Sequence, residues 1–273
     1  MSNFAKNCGN WRRDSHSANC RLVSILVLLA AILLASCAPM RPPAPSLAPV
    51  SAAVLLGDLS AQAKRFQTLQ GTALLRMTNA GERHSARQVL LFQRPNQFRA
   101  EVLSPFGQPV MTVVGTADRL SALVPGEGRF YSGPATADNL YRLVRMPLEL
   151  KELVQFVFYD VPLLPDPSGV VSVEDGFYRL DRLGPDGRRQ ELRFDSQRRL
   201  RQVRYFADET ELLQASYNDL RVEDGLPQTL QLVLPGVDME VELVWRDVRS
   251  NADIPPSRFH LFPPPGVQVL ALP

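Results

Sequence analysis

The sequence predicts a mainly β protein: a curved antiparallel sheet that holds helices in its concavity. Three observations predict it. After Gly71 apolar and polar residues alternate with period two in one segment after another, the pattern of strands with one dry and one wet face. Turn signals separate those segments at short intervals, which favours hairpins between sequential strands over helical crossovers. Finally, the helical stretch at residues 137–158 interrupts the strands and must bury its apolar sides, and one face of the sheet is the only large apolar surface available.

At the N-terminus, residues 22–35 form an apolar run of about 14 behind a segment that sets Lys6, Arg12, Arg13 and Arg21 against Asp14, the arrangement of a signal peptide. A spanning helix needs about 20 apolar residues, and here a Pro-rich stretch comes next instead of a stop-transfer pattern; an anchor left in place is the other reading. Leu34-Ala35-Ser36-Cys37 looks like a bacterial lipobox, with small residues before the cleavage point and a Cys to receive acyl chains. Cys37 is thus the candidate lipidation site. Pro39, Pro42, Pro43, Pro45 and Pro49 then mark an extended tether without apolar periodicity. As a polyproline helix it would lift the domain about 40 Å from the bilayer. The expected organisation is a signal peptide over 1–36, a lipidated Cys and tether over 37–51, and one domain over 52–273.

Leu55, Leu59, Ala63 and Phe66 recur about every fourth residue, one stripe of an amphipathic helix over 52–67. Phe98, Ala100 and Val102 then alternate with Gln97, Arg99 and Glu101, while Leu192 and Phe194 alternate with Glu191, Arg193 and Asp195. Val203 and Tyr205 stand among Arg201, Gln202 and Arg204, and Met239, Val241, Leu243 and Trp245 alternate with Glu240, Glu242 and Arg246. Turns are expected at Asn79-Ala80-Gly81, Pro125-Gly126, Pro185-Asp186-Gly187, Glu223-Asp224-Gly225 and Pro235-Gly236. Within 137–158, Pro147 divides two short helices, the first carrying Leu140, Leu143 and Val144 on one side and the second Leu150, Leu153, Val154 and Val157. If the apolar phase of the strands lies inside, Phe98, Val102, Leu192, Phe194, Val203, Tyr205, Val241 and Leu243 line an interior site together with Leu140 and Leu153.

Charge and composition exclude several function classes. The chain holds 30 Lys+Arg and 28 Asp+Glu; without residues 1–36 these become 26 and 27, a net charge of −1. A near-neutral body with dispersed charges lacks the basic face that nucleic acid requires. Cys8, Cys20 and Cys37 all precede the domain, so neither a disulfide framework nor a multi-Cys zinc site is expected in it. No phosphate-binding loop, nucleophile elbow or metalloprotease motif occurs. His84 reads as a solvated turn residue and His260 as a locally bonded one. The acid pairs Glu174-Asp175, Asp208-Glu209 and Glu223-Asp224 invite a hydrolase with carboxylates paired across a cleft, but they sit at turns, where solvation explains them. Arg188-Arg189 and Arg198-Arg199-Leu200-Arg201 read as wet hairpin faces, or as contacts for anionic headgroups.

The run from Gly71 to Met77 resembles the LolA/LolB family of lipoprotein-localisation proteins, particularly its outer-membrane receptor branch. So does Gln88-Val-Leu-Leu-Phe-Gln-Arg-Pro-Asn-Gln-Phe-Arg-Ala-Glu-Val-Leu-Ser-Pro-Phe-Gly-Gln-Pro-Val-Met. The order of later features agrees: Gly128-Arg129-Phe130-Tyr131, Met146-Pro147-Leu148-Glu149-Leu150 ahead of a second helix, and a closing Phe259 to Pro265 with Gly266-Val267. The resemblance implies an incomplete antiparallel β-barrel with helices as a lid over a hydrophobic cavity. It also implies a monomeric, non-enzymatic binder of lipoprotein acyl chains that uses no nucleotide or cofactor and takes its cargo from a LolA-like periplasmic carrier. With Ala38 after Cys37, the sorting rule implies the outer membrane, held by more than one acyl chain. A loop residue that the receptor uses for membrane insertion maps to Phe106 in Ser104-Pro105-Phe106-Gly107, where the receptor more often has Leu. Pro105 and Gly107 make a tight turn, and a large apolar residue at its tip either stands free or folds back over the sheet edge. Phe158-Tyr159-Asp160 departs from the receptor pattern, which commonly has Gly after the second helix. A relative with a structural role or another lipid is the alternative.

Overall fold

Helical period appears in three places and strand period nearly everywhere else in the computed structural model, which describes residues 47–165 and 168–273. The expected signal peptide, Cys37 and most of the expected tether lie outside the described residues. Helix α1 (Ala52–Lys64) starts at Ser51, whose hydroxyl accepts the Val54 N–H, and buries Leu55, Leu59 and Ala63 as the four-residue spacing requires. Strands β1 (Thr68–Asn79), β2 (Glu82–Gln93), β3 (Gln97–Leu103), β4 (Pro109–Gly115), β5 (Arg119–Val124) and β6 (Arg129–Pro134) succeed it as consecutive hairpins. Next come α2 (Ala137–Val144) and α3 (Leu150–Val157), parted near Pro147, and a second run of hairpins: β7 (Val170–Glu174), β8 (Phe177–Leu183), β9 (Arg189–Phe194), β10 (Leu200–Ala207), β11 (Thr210–Leu220), β12 (Pro227–Leu234) and β13 (Met239–Ser250). Strand β14 (Gln268–Ala271) comes last. All five expected turns fall between strands. No helix among the described residues is long and apolar enough to cross a membrane.

The strands form one sheet in the order β14-β6-β5-β4-β3-β2-β1-β13-β12-β11-β10-β9-β8-β7, which does not close into a barrel. Its two runs of hairpins are joined by β1 and β13, antiparallel from Leu69↔Ser250 to Asn79↔Met239, with a bulge at Thr72/Ala73. The Asp247 carboxylate fixes that bulge by accepting from the Thr72 N–H at 3.2 Å and its hydroxyl at 3.0 Å. Gly71 sits where the backbones approach most closely: a Cβ there would lie 1.9 Å from the Asp247 carbonyl oxygen.

Strand β14 breaks the antiparallel expectation by running parallel to β6, from Gln268↔Arg129 to Ala271↔Ser132. The cause is its connection. After β13 the chain leaves the sheet and packs Ile254 and Phe259 on Leu91 and Val114, a second small apolar cluster on the outer side, before joining the edge at β6. Without a hairpin to set its direction, either orientation was open to it.

The β8–β11 half of the inner face is filled by the segment after α3. The Tyr217 hydroxyl donates to the Phe156 carbonyl at 3.2 Å, the Tyr205 hydroxyl to Pro162 at 2.8 Å, and Tyr159 from that segment to Leu200 at 2.7 Å. Burial pushes all three phenols well above their ordinary pKa, so they remain donors. Gln190 and Arg182 complete the seam, with Gln190 Nε2 donating to Pro162 at 2.8 Å and Arg182 to Leu164 at 2.8 Å. Tyr159 has φ +58°, in the left-handed region that favours glycine. It lies within Phe158-Tyr159-Asp160, the stretch that departs from the resembled receptor pattern. Here the ring compensates by stacking edge-on with Tyr217 at 4.8 Å. Beside it Arg94 holds Asp160 at 2.8 Å and donates to the Phe66 carbonyl at 3.0 Å, tying this segment to the end of α1.

The β9–β10 hairpin shows how the wet face is secured. Asp195 accepts the N–H groups of Gln197 and Arg199 and the guanidinium groups of Arg199 and Arg201, all within 3.0 Å. Burial pushes its carboxyl pKa up, but the Arg199 N–H and the two guanidiniums outweigh this and hold it below its ordinary value. The arginines of the Arg198–Arg201 segment are thus committed to ion pairs, Arg199 and Arg201 on Asp195 within the hairpin and Arg198 on Asp58 of α1 at 2.7 Å.

Candidate functional site

Six adjacent strands, β4-β3-β2-β1-β13-β12, present their inward residues to a cavity of about 420 Å³, and the helical segment supplies its other wall. Small-molecule sites fall in the range of about 300–1,000 Å³. Strand β2 contributes Ala86, Leu90 and Phe92; β3 Phe98, Ala100 and Val102; β4 Met111 and Val113. Leu75 and Met77 of β1, Leu230 and Leu232 of β12, and Val241 and Leu243 of β13 continue the wall. Opposite stand Leu143, Val144 and Met146 from α2 and its end, with Leu153 and Val157 from α3. Helix α3 is fixed by a capping box in which Glu149 and Glu152 exchange backbone and side-chain bonds, so its inward residues are held in phase.

The cavity has a polar end and an aromatic end. His84, Ser85 and Arg145 are exposed and border it where β2 begins. Phe92 and Phe98 are buried at the far end, 6.2 Å apart, with Trp245 edge-on to Phe92 at 6.4 Å. Between them Gln88 is the one polar side chain in the β2 stripe from Ala86 to Phe92 that borders the cavity.

Of the ten residues expected at an interior site, Phe98, Val102, Leu153, Val241 and Leu243 border this cavity. Leu140, Leu192, Phe194, Val203 and Tyr205 do not. Their strand phase was read properly, since all but Tyr205 are at most 1% exposed. But the segment after α3 covers β8–β11, and Tyr205 packs edge-on against Phe156 at 6.2 Å. Leu140 is fully buried under α2, whose nearest strand is β5. Sequence reasoning missed the β2 stripe because Gln88 to Phe92 is apolar on both faces: Leu91 belongs to the outer cluster, so the run shows no alternation.

The β3–β4 turn projects from the same end of the sheet as His84, because Gln88 pairs with Val102 and Phe92 with Phe98. Ser104 N–H donates to Gln108 O at 2.8 Å, Gly107 N–H to Ser104 O at 2.9 Å, and Gly107 has φ +82°. This rigid turn leaves Phe106 92% exposed rather than folded over the sheet edge, with Val110 also exposed. Pro105 and Gly107 flank it as the sequence suggested.

The acid pairs lie at a strand end or in connections between strands, where Glu174 pairs with Arg179 and both Glu223 and Asp224 with Arg221. Among the described residues no group of three or more His, Cys, Asp and Glu is placed to hold a metal ion. His260 stacks on Phe262 at 6.4 Å, away from the cavity.

No protein-family model matches the chain, and no curated protein matches its sequence. Among solved structures it is similar to a DUF1329 family protein from Desulfovibrio piger, at 12% identity and a TM-score of 0.53 over 77% of this chain and 95% of that one. It is also similar to a putative outer membrane lipoprotein-sorting protein domain from Vibrio parahaemolyticus, at 13% identity and a TM-score of 0.51 over 77% and 95%. A LolA superfamily protein from Nitrosomonas europaea aligns over 78% of this chain and 99% of its own, at 12% identity and a TM-score of 0.47. The likeness to the first two is one of fold.

Proposed function

We propose that the protein is a lipoprotein of the outer membrane, anchored through Cys37, that takes the acyl chains of other lipoproteins into its cavity and passes them to the membrane. The observation that carries this reading is an apolar cavity whose polar mouth shares one end of the sheet with an exposed Phe on a rigid turn. The open sheet serves as a half-barrel and α2 with α3 as its lid. Each methylene transferred from water to such a cavity contributes about 0.8 kcal/mol, so a modest length of acyl chain suffices for tight binding without covalent chemistry or a cofactor. The fold shared with a lipoprotein-sorting domain supports the reading. A LolA-like carrier is the proposed donor, and the protein acts as a monomer. Acylation of Cys37 is checked by the mass of the N-terminal peptide from the membrane fraction; an unmodified Cys37 removes the anchor from the account.

Delivery is tested at Phe106. Burial of its side chain in the bilayer surface contributes roughly 1.5–3 kcal/mol, one to two orders of magnitude in membrane engagement. In a form lacking Cys37, so that the anchor does not mask the loop, Phe106→Glu is expected to keep the fold and take up lipoprotein, yet lose at least about tenfold in transfer to liposomes. Transfer at the parent rate contradicts an insertion role.

A further inference from the structure

The two buried glutamines of the sheet differ in a way that points to the ligand. Gln190, fully buried, has its amide satisfied: its oxygen accepts from Arg182 at 2.7 Å and from the Leu164 N–H at 3.3 Å, and its Nε2 donates to Pro162. Gln88 is 9% exposed and borders the cavity, but its side chain makes no hydrogen bond to any described residue. Its strand neighbours explain why. On β1 it faces Ala73 and on β3 Val102, neither of which offers a side-chain donor or acceptor. Its amide atoms are not fully enclosed but open on the cavity; a hydrocarbon that fills the cavity strips water from them and leaves them unpaired, so packing alone would favour Leu or Met at this place.

We infer that Gln88 reads the carbonyl of an acyl ligand, so that the cavity selects acyl esters and amides over plain hydrocarbon. This rests on the reading of the cavity as an acyl-chain site. The position suits the task. Four residues separate Gln88 from His84 at the mouth and four separate it from Phe92 at the aromatic end, about 13 Å each way along an extended strand. A chain that lies toward Phe92 and Phe98 therefore brings its ester or amide level with Gln88, while whatever the ester joins lies toward His84 and Arg145. The amide N–H donates to the carbonyl oxygen of an ester or amide ligand. Diacylglyceryl groups of lipoproteins and membrane phospholipids share this ester chemistry.

The test uses the full-length protein in vesicles of diether phosphatidylcholine, which carry no ester, and a palmitoyl-ester probe with a chain-end diazirine that labels the protein on irradiation. Methyl palmitate and heptadecane compete for labelling. One hydrogen bond is expected to give the ester about a tenfold advantage in the wild type, and Gln88→Leu is expected to abolish it while heptadecane competes as before. Gln88→Met serves as a second variant, and thermal melts confirm folding. An ester advantage that survives in a folded variant overturns the inference. Absence of competable labelling in the wild type overturns the acyl-site reading itself, a distinct failure. Dipalmitoyl phosphatidylglycerol and a dipalmitoylglyceryl-cysteine peptide form two further arms. Either competing through Gln88 supports the inference, and the stronger competitor identifies the source of the ester.

Discussion

Leu243→Arg is expected to weaken acyl-probe binding at least about 100-fold in a protein that still folds. Leu243 is part of the cavity wall, paired with Leu75 on β1 and Leu230 on β12, both of which also border the cavity. A guanidinium there must either be desolvated against a hydrocarbon chain, at a cost of several kcal/mol, or occupy the chain's path on its way to the mouth. The fold survives because the space in front of Leu243 is cavity, so the longer side chain does not overpack the core. Val203→Arg provides the contrast: Val203 is fully buried in the filled half of the sheet, and the same substitution there is expected to unfold the protein. Titration with a fluorescent acyl probe, together with thermal melts, checks both. Tight binding by folded Leu243→Arg places the ligand elsewhere.

Gly71→Val is expected to destabilise the fold by at least about 3 kcal/mol. The clash is with the Asp247 backbone and cannot be relieved by a rotamer change. It also falls in the single pairing that joins the two runs of hairpins, next to the bulge pinned by Asp247. Gly115 offers a softer comparison, because a Cβ there meets the Phe98 ring, which borders the cavity and has room to tilt. Urea unfolding monitored by circular dichroism reads the difference. A Gly71→Val midpoint close to that of the parent means that the β1 and β13 backbones can part at this point without loss of the fold.

Most of the architecture was legible because it depends on local periodicity. The four-residue stripe of Leu55, Leu59, Ala63 and Phe66, the break at Pro147 and the five turn signals each depend on residues close in sequence. The site was half legible. Phase tells which side of a strand is dry, but Val203 and Leu243 have the same phase character and only the course of residues 158–164 decides which of them meets a cavity. That course is set by hydrogen bonds from Tyr205, Gln190 and Arg182 to the backbone carbonyls of Pro162 and Leu164, for which a sequence carries no periodic signal. The parallel β14 was equally hidden, since it depends on a long connection rather than a turn. Gln88 could have been noticed as a polar residue opening an otherwise apolar run, but only the structure shows that no described side chain answers it.

The proposed function requires acyl chains to occupy the cavity between the six strands and the helical segment. Their place can be read by irradiating the full-length protein with the chain-end diazirine probe in vesicles and mapping the labelled residues by peptide mass spectrometry. Adducts are expected at Leu90, Phe98, Val113 and Leu232, which border the cavity from four strands. Adducts confined to the Phe106 turn or to the outer cluster of Leu91, Val114, Ile254 and Phe259, with none in the cavity, would contradict it.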